Sequence, residues 1–171
     1  MKVSSFLGLL LVGLIILTGP DCTRAFAGGK EKLRWLKFDE GTVEAQRSGK
    51  KILIDVYTGW CVWCKRMDAN TYSDDSVATY LGRRYVLVKL DAESRSLLTY
   101  KGQRYSELDL ARLFGVNGYP TTVFLKSNGD PITSFPGYAD ANQFGNVLRF
   151  IGEDYYLTKK FDEYLKSRGT E

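Results

Sequence analysis

The sequence predicts an α/β fold built on a central mixed β-sheet with helices covering both faces. Two observations carry that expectation. Lys51 to Tyr57 is apolar on both of its alternating faces apart from Asp55, and Tyr85 to Leu90 reads as a second central strand. Only a strand buried on both sides needs such a pattern. The strands are separated by helical segments, and the second half carries Ser127-Asn128-Gly129-Asp130 between two apolar runs, with the Asn-Gly signal of a hairpin. Strands alternating with helices, then a hairpin and a closing helix, describe a covered mixed sheet.

Taken in order, Leu33 to Phe38 alternates apolar and basic residues and reads as a short strand or extended entry. Asp39 to Ser48 is helical, with Gly49 in the C-cap position. After the strand at Lys51 to Tyr57, Thr58-Gly59 makes a turn and a helix is expected from about Cys61 to Ala69. Asp74 caps a further helix to about Leu81. Leu98 to Tyr105 is expected to fold as a small hairpin about Lys101-Gly102, and Leu108 to Phe114 as a short helix stopped by Gly115. Thr121 to Leu125 and Ile132 to Phe135 flank the Asn-Gly turn, Asn142 to Ile151 is the closing helix, and Leu157 to Leu165 is one more packing helix.

With 171 residues, 44% hydrophobic and 26% charged, the chain suits one globular domain with a core. Its first stretch stands apart. Lys2 precedes 12 apolar residues, Phe6 to Leu17; Gly19-Pro20 ends the run, and Ala25-Phe26-Ala27 has the small-x-small form of a signal-peptide cleavage site. Twelve residues are short for a bilayer span. Residues 1–27 are therefore read as a cleavable signal peptide rather than a membrane anchor, and 28–171 as a single exported domain, periplasmic if the source is bacterial. Gly19-Pro20-Asp21 before Cys22 is not a lipobox. Cleavage removes Lys2, Asp21 and Arg24 and lowers the net charge from +4 to +3. That mild excess, without a basic run, gives no reason to expect a nucleic-acid partner.

Of three cysteines, Cys22 leaves with the signal peptide, so Cys61 and Cys64 remain. They stand between the first central strand and a helix, and Tyr119-Pro120-Thr121 opens a later strand. A structural staple is the plain alternative in an oxidising compartment, but a loop this short constrains little of the unfolded chain. Structural zinc needs four ligands, and the chain has no histidine and no second cysteine pair, which leaves only a metal shared between two chains. Lys65 after Cys64 excludes covalent haem attachment. Thiol–disulfide exchange is the chemistry that remains. A cysteine opening a helix has its thiolate favoured by unpaired amides and the dipole. Cys61 is thus the expected nucleophile and Cys64, one turn on and more buried, the resolving thiol. Asp55 is a carboxylate among apolar neighbours; if buried, it needs a partner and is raised by desolvation.

Three separated motifs resemble thioredoxin over roughly Gly49 to Gly152. They are Asp55-Val56-Tyr57-Thr58-Gly59-Trp60-Cys61-Val62-Trp63-Cys64-Lys65, then Val88-Lys89-Leu90-Asp91, then Phe114-Gly115-Val116-Asn117-Gly118-Tyr119-Pro120-Thr121. Cys64-Lys65-Arg66-Met67 leading into Thr71-Tyr72-Ser73-Asp74 is similar to exported thioredoxin-related proteins and to the periplasmic C-terminal domain of the membrane reductant-conducting disulfide interchange protein. The resemblance implies a thioredoxin fold and a thiol–disulfide oxidoreductase with no cofactor beyond the redox-active Cys61–Cys64 disulfide. It implies that Asp55 is the buried acid that helps deprotonate Cys64, with Lys89 as its charge partner. It implies a cis bond at Pro120, with the backbone at Tyr119 pairing with substrate in a strand-like way. Trp60 would shield one side of the disulfide. Gly137 matches the glycine that lets a substrate backbone approach, although a plain turn glycine beside Pro136 is an equal alternative.

Trp63 departs from the resemblance, since thioredoxin has Gly-Pro between its cysteines. Oxidising relatives often carry a histidine there, and the uncharged Val62-Trp63 points instead to a reductant, at about −200 to −270 mV. Simple surface packing is the other reading of Trp63. The expected partners are a disulfide-containing protein or small molecule and an upstream thiol donor, a membrane disulfide reductase. A monomer is expected, as no dimerisation element of the kind an isomerase uses is visible. A thiol oxidase or isomerase, or a binding or chaperone module with an incidental cysteine pair, are the alternatives. Asp91 to Glu107 is longer than the matching stretch of thioredoxin. Its Tyr100, Arg104 and Tyr105 either recognise a partner or belong to a solvated decoration.

Overall fold

The structure, a computed structural model, describes residues 33–169. The signal-peptide reading of residues 1–27 lies outside the described residues. The elements are β1 (Trp35–Leu36), α1 (Phe38–Ser48), β2 (Lys51–Tyr57), α2 (Val62–Arg66), α3 (Asp75–Arg84), β3 (Tyr85–Asp91), β4 (Leu97–Tyr100), β5 (Gln103–Ser106), α4 (Glu107–Leu113), β6 (Thr121–Leu125), β7 (Pro131–Pro136), α5 (Ala141–Gly152) and α6 (Phe161–Ser167). Five strands make the main sheet in the order β1-β3-β2-β6-β7. The first three are parallel, β6 runs antiparallel to β2, and β7 pairs antiparallel with β6, giving the expected mixed sheet.

β2 takes the centre because its sequence leaves no face for water: Ile52 to Val56 are each at most 1% exposed. Alternation then divides the strand between two cores. Ile52, Ile54 and Val56 pack with Val86, Val88 and Leu90 beneath α1 and α4. Leu53 points the other way, to Leu87, Phe124 and Phe144 beneath α3 and α5. Gly49 ends α1 at φ +71°, its amide returning to the Ala45 carbonyl at 2.9 Å. The Asp74 carboxylate caps α3 by accepting from the amides of Ser76 and Val77.

Three segments differ from the sequence expectation. The helix expected to Ala69 leaves α-geometry after Arg66, and Met67–Thr71 is a π-helical turn. Tertiary anchors hold it there: Met67 and Thr71 are fully buried, and the Thr71 hydroxyl donates to the Ala139 carbonyl at 2.6 Å. The stretch expected as one helix from Leu157 to Leu165 is a 3-10 turn, Tyr155–Leu157, followed by α6. Its aromatic residues decide this, with Phe161 and Tyr164 both packing on Phe150, at 5.1 and 5.3 Å, while Leu157 is left exposed.

The third difference is the insertion. β4 and β5 form the expected hairpin as a separate two-stranded sheet. It is neither a solvated decoration nor, at Tyr100, a recognition surface. Leu98 and Tyr100 turn inward and join the first core. The Tyr100 ring meets Phe38 and Phe114 edge-on at 6.0 and 5.3 Å, and its hydroxyl donates to the Gly129 carbonyl at 3.1 Å. Arg104 is exposed and Tyr105 half-buried.

Candidate active site

β2 delivers the chain at Tyr57 into a turn, Thr58 to Trp60, and Cys61 caps α2 from outside the helix with φ −68° and ψ 104°. Cys61 and Cys64 are joined by a disulfide. An N-cap side chain faces amides that the helix cannot satisfy, and the Cys64 amide donates to Cys61 Sγ at 3.0 Å. α2 has five residues, so this single bond, more than any long-helix dipole, distinguishes the two sulfurs. Once the disulfide is reduced, an amide aimed at Cys61 favours its thiolate. As whole residues the two cysteines are almost equally buried, Cys61 3% and Cys64 4% exposed. Both lie below a rim of side chains, and the Cys64 amide on Cys61 Sγ is the asymmetry between them that the hydrogen bonds show.

The rim is aromatic. Trp60 is 66% exposed, Val62 72% and Trp63 50%. Trp60 meets Tyr119 edge-on at 6.0 Å, and Trp63 leans on Tyr138 at 5.4 Å with the Arg66 guanidinium 5.1 Å from its ring. Each pair joins the cysteine turn to a loop at the ends of β6 or β7. Trp60 is further fixed by Glu93, whose carboxylate accepts from its indole N–H at 3.0 Å and from the Gly59 amide at 3.3 Å. Trp63 thus does pack on a neighbour while half of it stays open to a partner.

The Tyr119–Pro120 bond is cis. Pro120 is buried and Tyr119 half-buried, with the Pro120 carbonyl accepting from the Gly137 amide at 2.8 Å. Gly137 has φ +86°, a conformation side chains disfavour, and a Cβ there would meet nothing within 4 Å. The turn therefore requires glycine for its backbone, and the space in front of it is open.

Sheet register assembles a polar row on the face that α2 and the π turn cover. Asp55 pairs with Lys89 on β3 and with Thr122 on β6. Asp55 is 1% exposed, which removes the reading in which it points to an exposed strand end. Lys89 Nζ is ion-paired with Asp55 Oδ2 and lies 2.6 Å from Asp68 Oδ1. Its ammonium also sits over the rings of Trp35, Tyr57 and Tyr72, at 4.8, 5.3 and 5.5 Å. Burial pushes the Asp55 carboxyl above the usual carboxylate range, with Lys89 offsetting only part of it and Asp68 adding to it. Burial pulls Lys89 down, but Asp55 and Asp68 outweigh it and hold the ammonium above its ordinary value. Burial, reinforced by the Asp55 charge, lifts the Tyr72 phenol far above its ordinary range.

The structure thus gathers Trp60, Cys61, Trp63, Cys64, Tyr119, Pro120 and Gly137 around the disulfide loops, and sets Asp55 with Lys89 in the strands behind. Sequence reasoning missed Glu93, Asp68, Tyr72 and Thr122. Asp68 lies four residues after Cys64 and Tyr72 in the Thr-Tyr-Ser-Asp stretch, but only folding shows which strand residues they reach.

A disulfide closed over two intervening residues at a strand-to-helix turn, beside a cis-proline loop and a buried carboxylate–lysine pair, is the arrangement of a thiol–disulfide exchange site. The chain belongs to the thioredoxin-like family, whose domain matches residues 38–152. It is 31% identical over 147 residues to the thiol:disulfide interchange protein DsbD of Yersinia pestis, covering 80% of this chain but 23% of that protein. It thus spans about a quarter of that relative's length. Among solved structures, a thioredoxin from Thermus thermophilus is 27% identical with a TM-score of 0.57, covering 70% of this chain and 86% of that one. The DsbH oxidoreductase, 17% identical with a TM-score of 0.58, shares the fold over 77% of this chain and 92% of its own.

Proposed function

We propose that the chain works as an exported reductase of protein or small-molecule disulfides, with residues 1–27 as its signal peptide and 28–171 as one domain. The observation that carries the reading is the Cys64 amide on Cys61 Sγ at 3.0 Å, next to an uncharged, exposed Val62-Trp63. The nucleophile is supported by one backbone donor, without the cationic residue between the cysteines that would stabilise the reduced form further and make the disulfide strongly oxidising. No helix among the described residues is long and apolar enough to cross a membrane.

In the reduced protein the Cys61 thiolate attacks one sulfur of a substrate disulfide, forming a mixed disulfide and releasing the other substrate sulfur as a thiolate. Cys64 gives its proton to Asp55, and its sulfur attacks Cys61. The second substrate thiolate leaves, the Cys61–Cys64 disulfide forms, and two electrons have passed from the dithiol to the substrate. An upstream thiol donor, such as a membrane disulfide reductase, returns two electrons. Tyr119, Pro120 and the open space at Gly137 receive the substrate backbone, and Trp60 and Trp63 flank the reacting sulfurs. The interchange activity named for the Yersinia pestis relative fits this reading.

The deciding experiment is the reduction potential of the Cys61–Cys64 couple, equilibrated in glutathione and dithiothreitol buffers. A value near that of thioredoxin, about −270 mV, supports a dedicated reductant. A value near about −120 mV makes the protein an oxidant and overturns the direction. A pair that does not cycle at all leaves a binding or chaperone module.

A further inference from the structure

Three buried polar atoms on the face of the sheet beneath the π turn lack a hydrogen-bond partner: Asp55 Oδ1, the Tyr72 hydroxyl and Thr122 Oγ1. They are neighbours. Asp55 and Thr122 are cross-strand partners, and the Lys89 ammonium that is ion-paired with Asp55 also sits 5.5 Å from the centre of the Tyr72 ring. The Tyr72 ring is locked, 4% exposed and edge-on to Trp35 at 5.1 Å and Phe144 at 5.6 Å. It cannot swing its oxygen to water. Phenylalanine would fill the same space without the cost of burying a hydroxyl. The phenol brings one donor to a carboxylate oxygen that has none, while Lys89 already holds the other oxygen.

We propose that Tyr72 is a positioning residue for proton transfer at Asp55, its hydroxyl donating to Oδ1 of the ionised carboxylate while Lys89 holds Oδ2. The inference rests on the reading of Asp55 as the proton acceptor for Cys64. Oδ1, the oxygen free of Lys89, is where the Cys64 proton arrives, and Tyr72 then turns its O–H to Thr122 Oγ1. Tyr72 gives up no proton at any stage, because burial keeps the phenol neutral. The charged and titratable groups facing Asp55 are Lys89 of β3, Asp68 of the π turn, Tyr57 of β2, Tyr72 and, in the reduced protein, Cys64; those facing Tyr72 are Asp55, Asp68 and Lys89. Deleting one hydroxyl leaves Lys89 and Asp68 in place.

The test is Tyr72→Phe in the full chain, which retains the ring. The Asp55 carboxyl is titrated by carbon-13 NMR in the oxidised protein, its signal assigned by its loss in Asp55→Asn. The expected result is an upward shift of the Asp55 midpoint by about one pH unit, the scale of one hydrogen bond to a charged group. The acid limb of mixed-disulfide resolution in the reduced protein should move up by the same amount. An Asp55 midpoint unchanged in Tyr72→Phe overturns the proposal, whatever happens to the melting temperature, since a hydroxyl that only packs would leave that titration where it is. The two readings fail separately: Asp55→Asn resolving at the wild-type rate removes the proton-acceptor role, whereas the NMR midpoint in Tyr72→Phe judges the Tyr72 contact itself.

Discussion

Replacing Asp55 with asparagine keeps the size of the side chain and removes both its charge and its ability to take a proton. The effect on stability follows from linkage. Burial holds the folded carboxyl above its ordinary value of 3.8, so between 3.8 and the folded value the native state keeps a proton that the unfolded chain has lost. Stability of the wild type therefore falls as pH rises across that window, by about 1.4 kcal/mol for each pH unit separating the two values. Below the window the group contributes no slope, and above it the full penalty is present. The Asp55→Asn protein has no such window, so it gains on the wild type as pH rises. Lys89 is not orphaned, because Asp68 stays 2.6 Å away. Other carboxylates titrate in the same range, so the difference between the wild-type and Asp55→Asn slopes is what isolates this group. Urea unfolding of the oxidised protein at a series of pH values measures the slope. The kinetic effect should fall on one step only: loss of a general base slows resolution by roughly 10²- to 10⁴-fold, while attack by Cys61 stays near the wild-type rate. Stopped-flow mixing of reduced protein with a disulfide peptide, quenched in acid, separates the two steps. An unchanged pH slope in Asp55→Asn, or equal slowing of both steps, refutes the reasoning.

Single serine substitutions should separate the thiols. Cys64→Ser accumulates mixed disulfides with substrate and Cys61→Ser forms none, as read on non-reducing gels; trapping by Cys61→Ser instead would reverse the roles. In the hairpin, Tyr100→Ala should cost about 3–5 kcal/mol, as expected for a large aromatic removed from a core, whereas Arg104→Ala should stay within about 0.5 kcal/mol. Equal, small losses in urea unfolding would show that the hairpin does not seal the core.

Much of the fold was legible because local chemistry and tertiary demand agree. The doubly apolar run at Lys51 to Tyr57 has one suitable place, the centre of a covered sheet, and β2 is there with Ile52 to Val56 buried. Gly49 and Asp74 mark helix ends through their own backbone and side-chain preferences. The elements that departed answer to distant partners. The π turn is held by Ala139, the tail is broken by the packing of Phe161 and Tyr164 on Phe150, and the hairpin is drawn inward by Phe38 and Phe114.

The same division runs through the site. Sequence by itself singled out the cysteine pair that the structure joins, because two cysteines three residues apart at a strand-to-helix junction have few other uses, and the Tyr-Pro-Thr turn and Asp55 stood out against their surroundings. Tertiary structure alone decided what surrounds them. The near-equal burial of the two cysteines, the Glu93 hold on Trp60 and the meeting of Lys89, Asp68, Thr122 and Tyr72 at Asp55 depend on strand register and on a turn that packs across the sheet. A bond's reactivity is written in neighbouring residue types, but its proton supply is set by low-dielectric contacts between segments far apart in the chain, which no local pattern specifies.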